Sequence, residues 1–204
     1  MNRPGKLITL EGVDGAGKST HIQFIADTLR AEARKVIVTR EPGGTDLADR
    51  LREILLNEAM DPLTETLLVF AARADHVARV IRPALLEGKW VVCDRFTDST
   101  LAYQGAGKGV DVDVIKRLSE IVTSGLKPDR TLVFDMEHAV SSHRLQASGK
   151  SLDRFEREEK PFFERVRGAY LAAARAEPER IRIINAAASL ENIREAITRG
   201  LYGL

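Results

Sequence analysis

The chain has 204 residues, of which 44% are hydrophobic and 30% charged, and its 31 basic side chains nearly balance its 30 acidic ones. This composition excludes a disordered or fibrous chain, because apolar residues are plentiful while glycine and proline are few and show no period. A net charge of +1 gives no reason to expect nucleic-acid binding, and no apolar run approaches the roughly 18 residues that span a membrane.

Five short apolar runs alternate with helical segments along the chain. Each run is too short for a helix, and its nearly continuous apolar character predicts a strand buried on both faces. Alternation of strands with helices predicts an α/β fold with a doubly wound parallel sheet, formed by a single domain over residues 1–204. The five runs are Leu7–Leu10, Val36–Thr39, Trp90–Cys93, Leu132–Phe134 and Ile181–Ile184.

Three segments outside these runs place apolar residues on one helical face. Ser189 is predicted to cap the last of these helices, and Gly200 lies near its end. Because parallel sheets bind ligands beyond the carboxyl ends of their strands, functional residues are expected after the runs. The three faces consist of Ile22, Ile25, Ala26 and Leu29; of Val114, Ile115, Leu118, Ile121 and Val122; and of Leu190, Ile193 and Ile197.

The segment after the first run carries the strongest functional signal. Residues 12–19 read GVDGAGKS, which fits G-x-x-x-x-G-K-[ST] between a strand and an amphipathic helix, the context of a phosphate-binding loop. Its glycines let the backbone approach phosphates, Lys18 can reach the β- and γ-phosphates of a nucleotide, and the Ser19 hydroxyl can bind Mg²⁺. The loop comprises Gly12, Val13, Asp14, Gly15, Ala16, Gly17, Lys18 and Ser19.

A second group of anion-binding residues follows the next two runs. Arg40 and Glu41 lie in TREPGGT, and Asp94 and Arg95 follow the third run. An arginine and a carboxylate at the same edge of a sheet suit a second phosphate and a metal ion. Two facing phosphate subsites indicate phosphoryl transfer between nucleotides, and the absence of an Asn-Lys-x-Asp motif argues against a GTPase.

The segments GVDGAGKS, TREPGGT, FAAR, DRF-x-D-S-x-x-AYQG and LDRFE, in this order, resemble those of bacterial thymidylate kinases. The resemblance runs from the first strand to the C-terminus. It implies transfer of the γ-phosphate of ATP to dTMP, giving ADP and the dTDP needed for dTTP and DNA synthesis. It also implies a five-stranded parallel core of the P-loop kinase type, a mobile lid at about residues 144–158, and a homodimer. The expected ligands are ATP, dTMP and Mg²⁺, with no nucleic acid or membrane as partner.

The resemblance assigns residues to the phosphates, the sugar and the metal. Asp14 matches an acid that contacts the sugar hydroxyl of dTMP, and Glu41 is similar to a carboxylate beside the sugar and the metal. Arg95 matches the arginine that grips the acceptor phosphate, and Asp94 helps to hold Mg²⁺ through water. Lys18 and Arg95 are therefore expected to be catalytic.

Other residues are assigned to the base. Arg73 resembles the arginine that hydrogen-bonds a thymine carbonyl, and Arg52 resembles a second contact on the base or phosphate side. Ser99, Tyr103 and Gln104 correspond to a loop that reads the base edge and crowds the ribose 2′ position.

One departure from the family concerns the side chain that stacks on thymine. The family commonly has an aromatic residue one helical turn before the FAAR arginine, but here that place is Val69, with Phe70 beside it. Phe70 is the expected base contact. Packing in the core is the alternative for Phe70 and for Tyr103.

A second departure concerns the lid. Family members without an arginine in the phosphate loop supply the transition-state cation from the lid, and here the loop holds Asp14. In the family lid an arginine often precedes a glycine, but here Ser148 precedes Gly149. The candidates for the transition-state cation are therefore Arg144, Lys150 and Arg154. Lysine lacks the bidentate fork of arginine, so Arg154 or Arg144 is favoured as catalytic.

Two other functions fit part of this pattern. A kinase acting on AMP, CMP or UMP would share the core but lack TREPGG and AYQG, and a non-catalytic ATP-binding module would need no second arginine-lined subsite. The single cysteine, Cys93, cannot form an internal disulfide, and residues 1–6 lead into a strand and not a signal peptide. We therefore expect a cytoplasmic protein.

Overall fold

Five parallel strands form the central sheet of the structure, a computed structural model that describes residues 5–147, 149 and 153–204. The strands are β1 (Leu7–Glu11), β2 (Val36–Arg40), β3 (Trp90–Asp94), β4 (Arg130–Asp135) and β5 (Ile181–Asn185). Their order across the sheet is β2-β3-β1-β4-β5, and every neighbouring pair is parallel. All five predicted runs form strands; β4 is three residues longer than its run and each of the others is one residue longer, and the expected doubly wound five-stranded sheet is confirmed.

The prediction that every strand is buried on both faces is wrong for the two edge strands. β1 is buried throughout, and β3 and β4 are buried except at their last residues. In contrast, Val38 in β2 is 40% exposed and Ile183 in β5 is 48% exposed. An edge strand has a neighbour on one side only, and an apolar run does not reveal which strands will occupy the edges.

Helices connect the strands on both faces of the sheet. Within the described residues, two π-helical turns lengthen the helical segments, Val77–Ile81 between α3 and α4 and Leu101–Gly107 after α5. The α-helices are α1 (Lys18–Ala31), α2 (Asp46–Asn57), α3 (Pro62–His76), α4 (Arg82–Leu86), α5 (Thr97–Thr100), α6 (Val112–Thr123), α7 (His138–Ala147), α8 (Lys160–Ala176) and α9 (Leu190–Leu201). No helix in the described part of the chain is long and apolar enough to cross a membrane.

Two hydrophobic clusters cover the two faces of the sheet. Ile8 and Leu10 of β1 belong to the larger cluster, which includes residues of α1, α8 and α9, whereas Leu7 belongs to the smaller one beside α4. Successive side chains of a strand point to opposite faces, so the two clusters lie on opposite sides of the sheet. Burial on both faces fixes the central strands, and with them the loops at their carboxyl ends.

The predicted helical faces differ in burial. The predicted face of α1 packs in the core as expected. The predicted cap is also present, since the Ser189 side chain accepts a hydrogen bond from the Asn192 amide at the start of α9. In α6, however, only Ile115 of the predicted face is fully buried, and Ile121 is 74% exposed. The apolar face of α6 is therefore available at the surface.

Candidate active site

The phosphate-binding loop joins β1 to α1 at the carboxyl edge of the sheet. Gly12, Gly15 and Gly17 all have positive φ angles, which side chains rarely adopt. A Cβ on Gly12 would lie 2.4 Å from the carbonyl oxygen of Phe134, so this glycine lets the loop pass close to the end of β4. The loop can therefore take a conformation in which its amides point at an anion at the start of α1.

Lys18 lies folded over the loop. Its Nζ donates to the carbonyl oxygens of Gly12 and Val13, each at 3.0 Å, and the side chain is buried. Burial, followed by repulsion from Arg95, lowers the pKa of Lys18 to about 8. An anion bound at the loop would raise the pKa of Lys18 again, because an opposite charge nearby favours the ammonium form.

Arg95, which follows β3, packs its side chain against the phosphate loop. Its Nη2 donates to Asp14 Oδ1 at 2.5 Å, and its Nη1 donates to the Gly12 carbonyl oxygen at 2.9 Å. The hydroxyl of Tyr103 donates to the other oxygen of Asp14 at 2.8 Å, and its ring packs under the Arg95 guanidinium. Burial opposes the charge on Asp14, but Arg95 and Lys18 outweigh it and lower the pKa of Asp14. Arg95 and Asp14 therefore form a charged pair at the loop.

The backbone of Arg95 explains where its side chain points. Its φ of +67° lies in the left-handed region, which costs a non-glycine residue about 1–2 kcal/mol. Its amide still donates to the Leu10 carbonyl oxygen at 2.9 Å, which extends the pairing of β1 with β3. The left-handed turn directs the guanidinium back over the loop, and such strain is typical of functional positions.

Glu11, at the end of β1, holds the segment that follows Arg95. Its carboxylate accepts hydrogen bonds from the Phe96 amide at 2.7 Å, the Ser99 hydroxyl at 2.5 Å and the Tyr170 hydroxyl at 3.0 Å. Burial, and then the charge of Asp98, raises the pKa of Glu11 to about 7. This acid therefore fixes the residues that lead from Arg95 to the AYQG segment, and its pKa lies close to neutral pH.

The raised pKa of Glu11 predicts a pH dependence of stability. Between pH 4.5 and about 7 the unfolded chain has already lost this proton while the folded chain retains it, so stability falls as pH rises. We expect the free energy of unfolding to fall from pH 5 to pH 8 by up to about 3 kcal/mol more in the wild type than in Glu11→Gln. Urea unfolding of both at the two pH values measures this, with Glu53→Gln, at an exposed position, as the control. Equal pH dependence in the wild type and Glu11→Gln would contradict the assignment.

A cavity beside the loop gathers most of the residues predicted to bind substrate. Eight of the nine line it, in an enclosure completed by apolar side chains that include Val69, Phe96 and Phe155. The ninth, Phe70, is buried and packs against the Arg73 guanidinium, 4.9 Å from its ring centre. The eight lining residues are Asp14, Glu41, Arg52, Arg73, Arg95, Ser99, Tyr103 and Gln104.

Arg73 is held in the cavity wall by a buried ion pair. Its Nε donates to Glu41 Oε2 at 2.6 Å and its Nη2 to the Phe96 carbonyl oxygen at 3.0 Å. Glu41 Oε1 bonds His76 Nδ1 at 3.0 Å, so both oxygens of Glu41 are engaged and its structural role is to orient Arg73. Arg73 Nη1 is buried and meets no hydrogen-bond acceptor in the described residues. An unpaired buried N–H is unfavourable, so Nη1 of Arg73 is a donor that a ligand carbonyl would satisfy.

Gln104, in the AYQG segment, lines the same cavity as Arg73. Its side-chain Nε2 donates to Glu65 Oε1 at 2.8 Å, and both residues are buried.

Arg52, on α2, donates to the Pro42 carbonyl oxygen at 3.1 Å. Burial, with repulsion from Arg40 and Arg95, lowers the pKa of Arg52. An anion at this end of the cavity would relieve that repulsion.

The three lid candidates have different surroundings. Arg144 Nη1 donates to the Ala186 carbonyl oxygen at 3.1 Å and would lie 3.9 Å from a Cβ on Gly17, which places it beside the phosphate loop. Arg154 instead pairs with Glu65 Oε2 at 2.5 Å and donates to the carbonyl oxygen of Leu55, a residue that lines the cavity. Lys150 lies outside the described residues.

Mg²⁺ would fit the groups at the loop. The Ser19 hydroxyl is exposed at the start of α1, and Asp94 Oδ1 is buried without a hydrogen-bond partner in the described residues. Asp94 also lies close enough to Lys18 to favour its charged form. No cluster of three or more acidic, histidine or cysteine side chains occurs in the described ranges. Such a sparse set suits a metal that keeps its waters and is shared with substrate phosphates.

Sequence reasoning missed four buried polar residues that support this site. Glu11, Glu65, His76 and Tyr170 were not singled out as functional, although each holds a side chain or segment named above. A usable signal existed for Glu11, an acid that ends an apolar strand, and for Glu65, an acid that lies eight residues before Arg73 on the buried face of α3. A charged group on a core face is expected only where it has partners.

Comparison with known proteins gives one consistent result. A family model described as thymidylate kinase matches residues 10–197. Thymidylate kinase of Thiobacillus denitrificans is 52% identical over 204 residues, covering all of both chains, and that of Pseudomonas fluorescens is 54% identical over 196 residues, covering 95% of this chain and 93% of its own. The crystal structure of thymidylate kinase from Ehrlichia chaffeensis superposes with a TM-score of 0.78 at 32% identity, covering 97% of this chain and 98% of its own.

Proposed function

Because the chain belongs to the thymidylate kinase family, we propose that it takes the phosphate from ATP, with Mg²⁺ held at the phosphate loop. It is a phosphotransferase that acts on dTMP and gives dTDP. One observation carries the assignment of the two nucleotide sites: Arg95 bonds the phosphate loop through Gly12 and Asp14 and also lines the base cavity. The donor phosphates at Lys18 and the acceptor phosphate at Arg95 would therefore meet.

The proposed chemistry depends on position and charge. Lys18 and the loop amides bind the donor phosphates, and Arg95, helped by Arg52, binds the acceptor phosphate. Ser19 and Asp94 would hold Mg²⁺, which supplies positive charge to the phosphates when bound. Holding two reactants in line in a site that excludes water supplies much of the rate enhancement, and no covalent enzyme intermediate is needed.

Base recognition is proposed to use two opposed groups. The free Nη1 of Arg73 donates to a thymine carbonyl, and Gln104 accepts from the ring N–H. Val69 and Phe155 give the cavity apolar walls, and Phe70 acts behind Arg73. Tyr103 and Ser99 close the cavity on the sugar side, where Tyr103 also bonds Asp14.

This recognition predicts the order of substrates. We expect dUMP to be used about 10- to 100-fold less efficiently than dTMP, because it lacks one methyl group in an apolar enclosure. For dCMP the loss should exceed 100-fold, because cytosine offers a donor to Arg73 and leaves buried polar groups mispaired. A coupled assay of ADP release, run with ATP and a panel that includes AMP, CMP and UMP, gives kcat/KM for each. Comparable efficiency on dCMP and dTMP would contradict the proposed contacts.

Three further properties belong to this proposal. Residues 1–204 are proposed to act as one kinase domain, which is supported by a match that covers all of both chains. The lid proposed at about 144–158 lies partly outside the described residues. The chain forms a homodimer, which is supported by large apolar side chains exposed on α3 and α6; its mass in solution, measured by sedimentation, tests this. The exposed apolar side chains on α3 and α6 are Leu63, Leu67, Val112, Val114 and Ile121.

The cytoplasm is the proposed compartment, since the lone thiol of Cys93 stays free under reducing conditions.

A further inference from the structure

Glu65 is a buried carboxylate that connects three segments around the base cavity. It lies on α3 and has no exposed surface. One oxygen, Oε1, accepts from Gln104 Nε2 at 2.8 Å. The other, Oε2, contacts Lys108 Nζ at 2.8 Å and Arg154 Nη1 at 2.5 Å. Two cations and one amide N–H therefore meet at this one carboxylate.

The charge of Glu65 decides which way the Gln104 amide points. An ionised carboxylate can only accept hydrogen bonds, so Gln104 must turn its NH₂ group toward it. The carbonyl Oε1 of Gln104 is then on the other side of the amide, and no donor from the described residues contacts it. Because Gln104 lines the cavity, this oxygen is an acceptor available to a ligand.

The same acid anchors the segment after residue 153. Arg154 bonds Glu65 while its guanidinium stacks 4.5 Å from the ring centre of Phe155, which lines the cavity. Lys108, from the segment after AYQG, also lies over the Phe155 ring, at 4.8 Å. Glu65 therefore fixes the amide of Gln104 and, through its two cations, one apolar wall of the same cavity.

We propose that Glu65 is a positioning residue that sets the choice of pyrimidine by holding the Gln104 amide as an acceptor. The inference rests on the proposed base contacts. Thymine carries an N–H at ring position 3, whereas cytosine carries a bare nitrogen there, so an amide fixed as acceptor accepts the first and rejects the second. Freed from Glu65, the amide could turn over and offer its NH₂ to cytosine.

The test compares Glu65→Gln with Glu53→Gln, the same substitution at an exposed position of α2. We expect Glu65→Gln to lower the ratio of kcat/KM for dTMP to that for dCMP about tenfold or more, mainly through KM, with kcat for dTMP changed less than about threefold. Glu53→Gln should keep the wild-type ratio. An unchanged ratio in folded Glu65→Gln would overturn the proposal.

A double-mutant cycle separates this role from a structural one. Gln104→Met removes the acceptor, and we expect it to lower the ratio as Glu65→Gln does, while the double variant shows no further loss because both changes act through one amide. Additive effects would overturn the proposal, and so would a wild-type ratio in Gln104→Met, even where Glu65→Gln does not fold. A wild-type chain that used dTMP and dCMP equally would contradict the base contacts themselves.

Discussion

Replacing Lys18 with alanine is expected to lower kcat for dTMP phosphorylation about 100- to 1000-fold while the chain stays folded. The ammonium group lies on the phosphate loop, bonded only to the carbonyl oxygens of Gly12 and Val13 in the described part of the chain. An ammonium group on the loop can neutralise charge on donor phosphates bound there, and loss of one preorganised charge at a transferring phosphoryl group has this order of effect. Steady-state turnover at saturating ATP and dTMP measures it.

The fold should survive this substitution because the bonds of Lys18 stay within its own loop. Thermal unfolding of Lys18→Ala beside the wild type checks this point. Lys35→Ala, at an exposed position before β2, is the matched control and should keep wild-type turnover. Turnover of Lys18→Ala within a few-fold of the wild type would mean that the loop does not hold the donor phosphates.

Replacing Arg144 with alanine is expected to have the second large effect, a loss of about 100- to 1000-fold in kcat with a small change in KM for dTMP. Of the lid candidates within the described residues, Arg144 lies beside Gly17 of the phosphate loop, and a cation there can stabilise charge that develops during transfer. A contact that forms fully only in the transition state lowers kcat and kcat/KM together.

Arg154 should behave differently in the same series. It bonds Glu65 and the Leu55 carbonyl oxygen and stacks on Phe155, so Arg154→Ala should act mainly on KM for dTMP. Lys150→Ala completes the series, and Arg175→Ala, at an exposed position of α8, is the control. A larger loss of kcat in Arg154→Ala than in Arg144→Ala would contradict this order. Near-normal turnover in all three lid variants would move the cation to Arg95 or Arg40.

The sequence by itself determined the parts of this protein that depend on local chemistry. The phosphate loop is defined by glycines with positive φ and a lysine at fixed spacing, and such a segment has few alternative conformations. The strands are predictable because each is a short apolar run, and their parallel orientation follows from alternation with helices. Parallel strands place their carboxyl ends at one edge, which is why Asp14, Glu41 and Arg95 could be predicted to lie together.

Only the tertiary structure decided which strands lie at the edges and which buried groups meet across the chain. Glu65 reaches Gln104 across 39 positions and Glu41 reaches Arg73 across 32, and no local spacing encodes either contact. The same holds for Arg154, which pairs with Glu65 of α3, and for α6, whose apolar face no described neighbour covers completely. Local sequence patterns determine the backbone conformation of a segment. The partner of a buried charge is set by how the elements pack, because a charge removed from water needs whatever opposite charge or donor the folded chain brings to it.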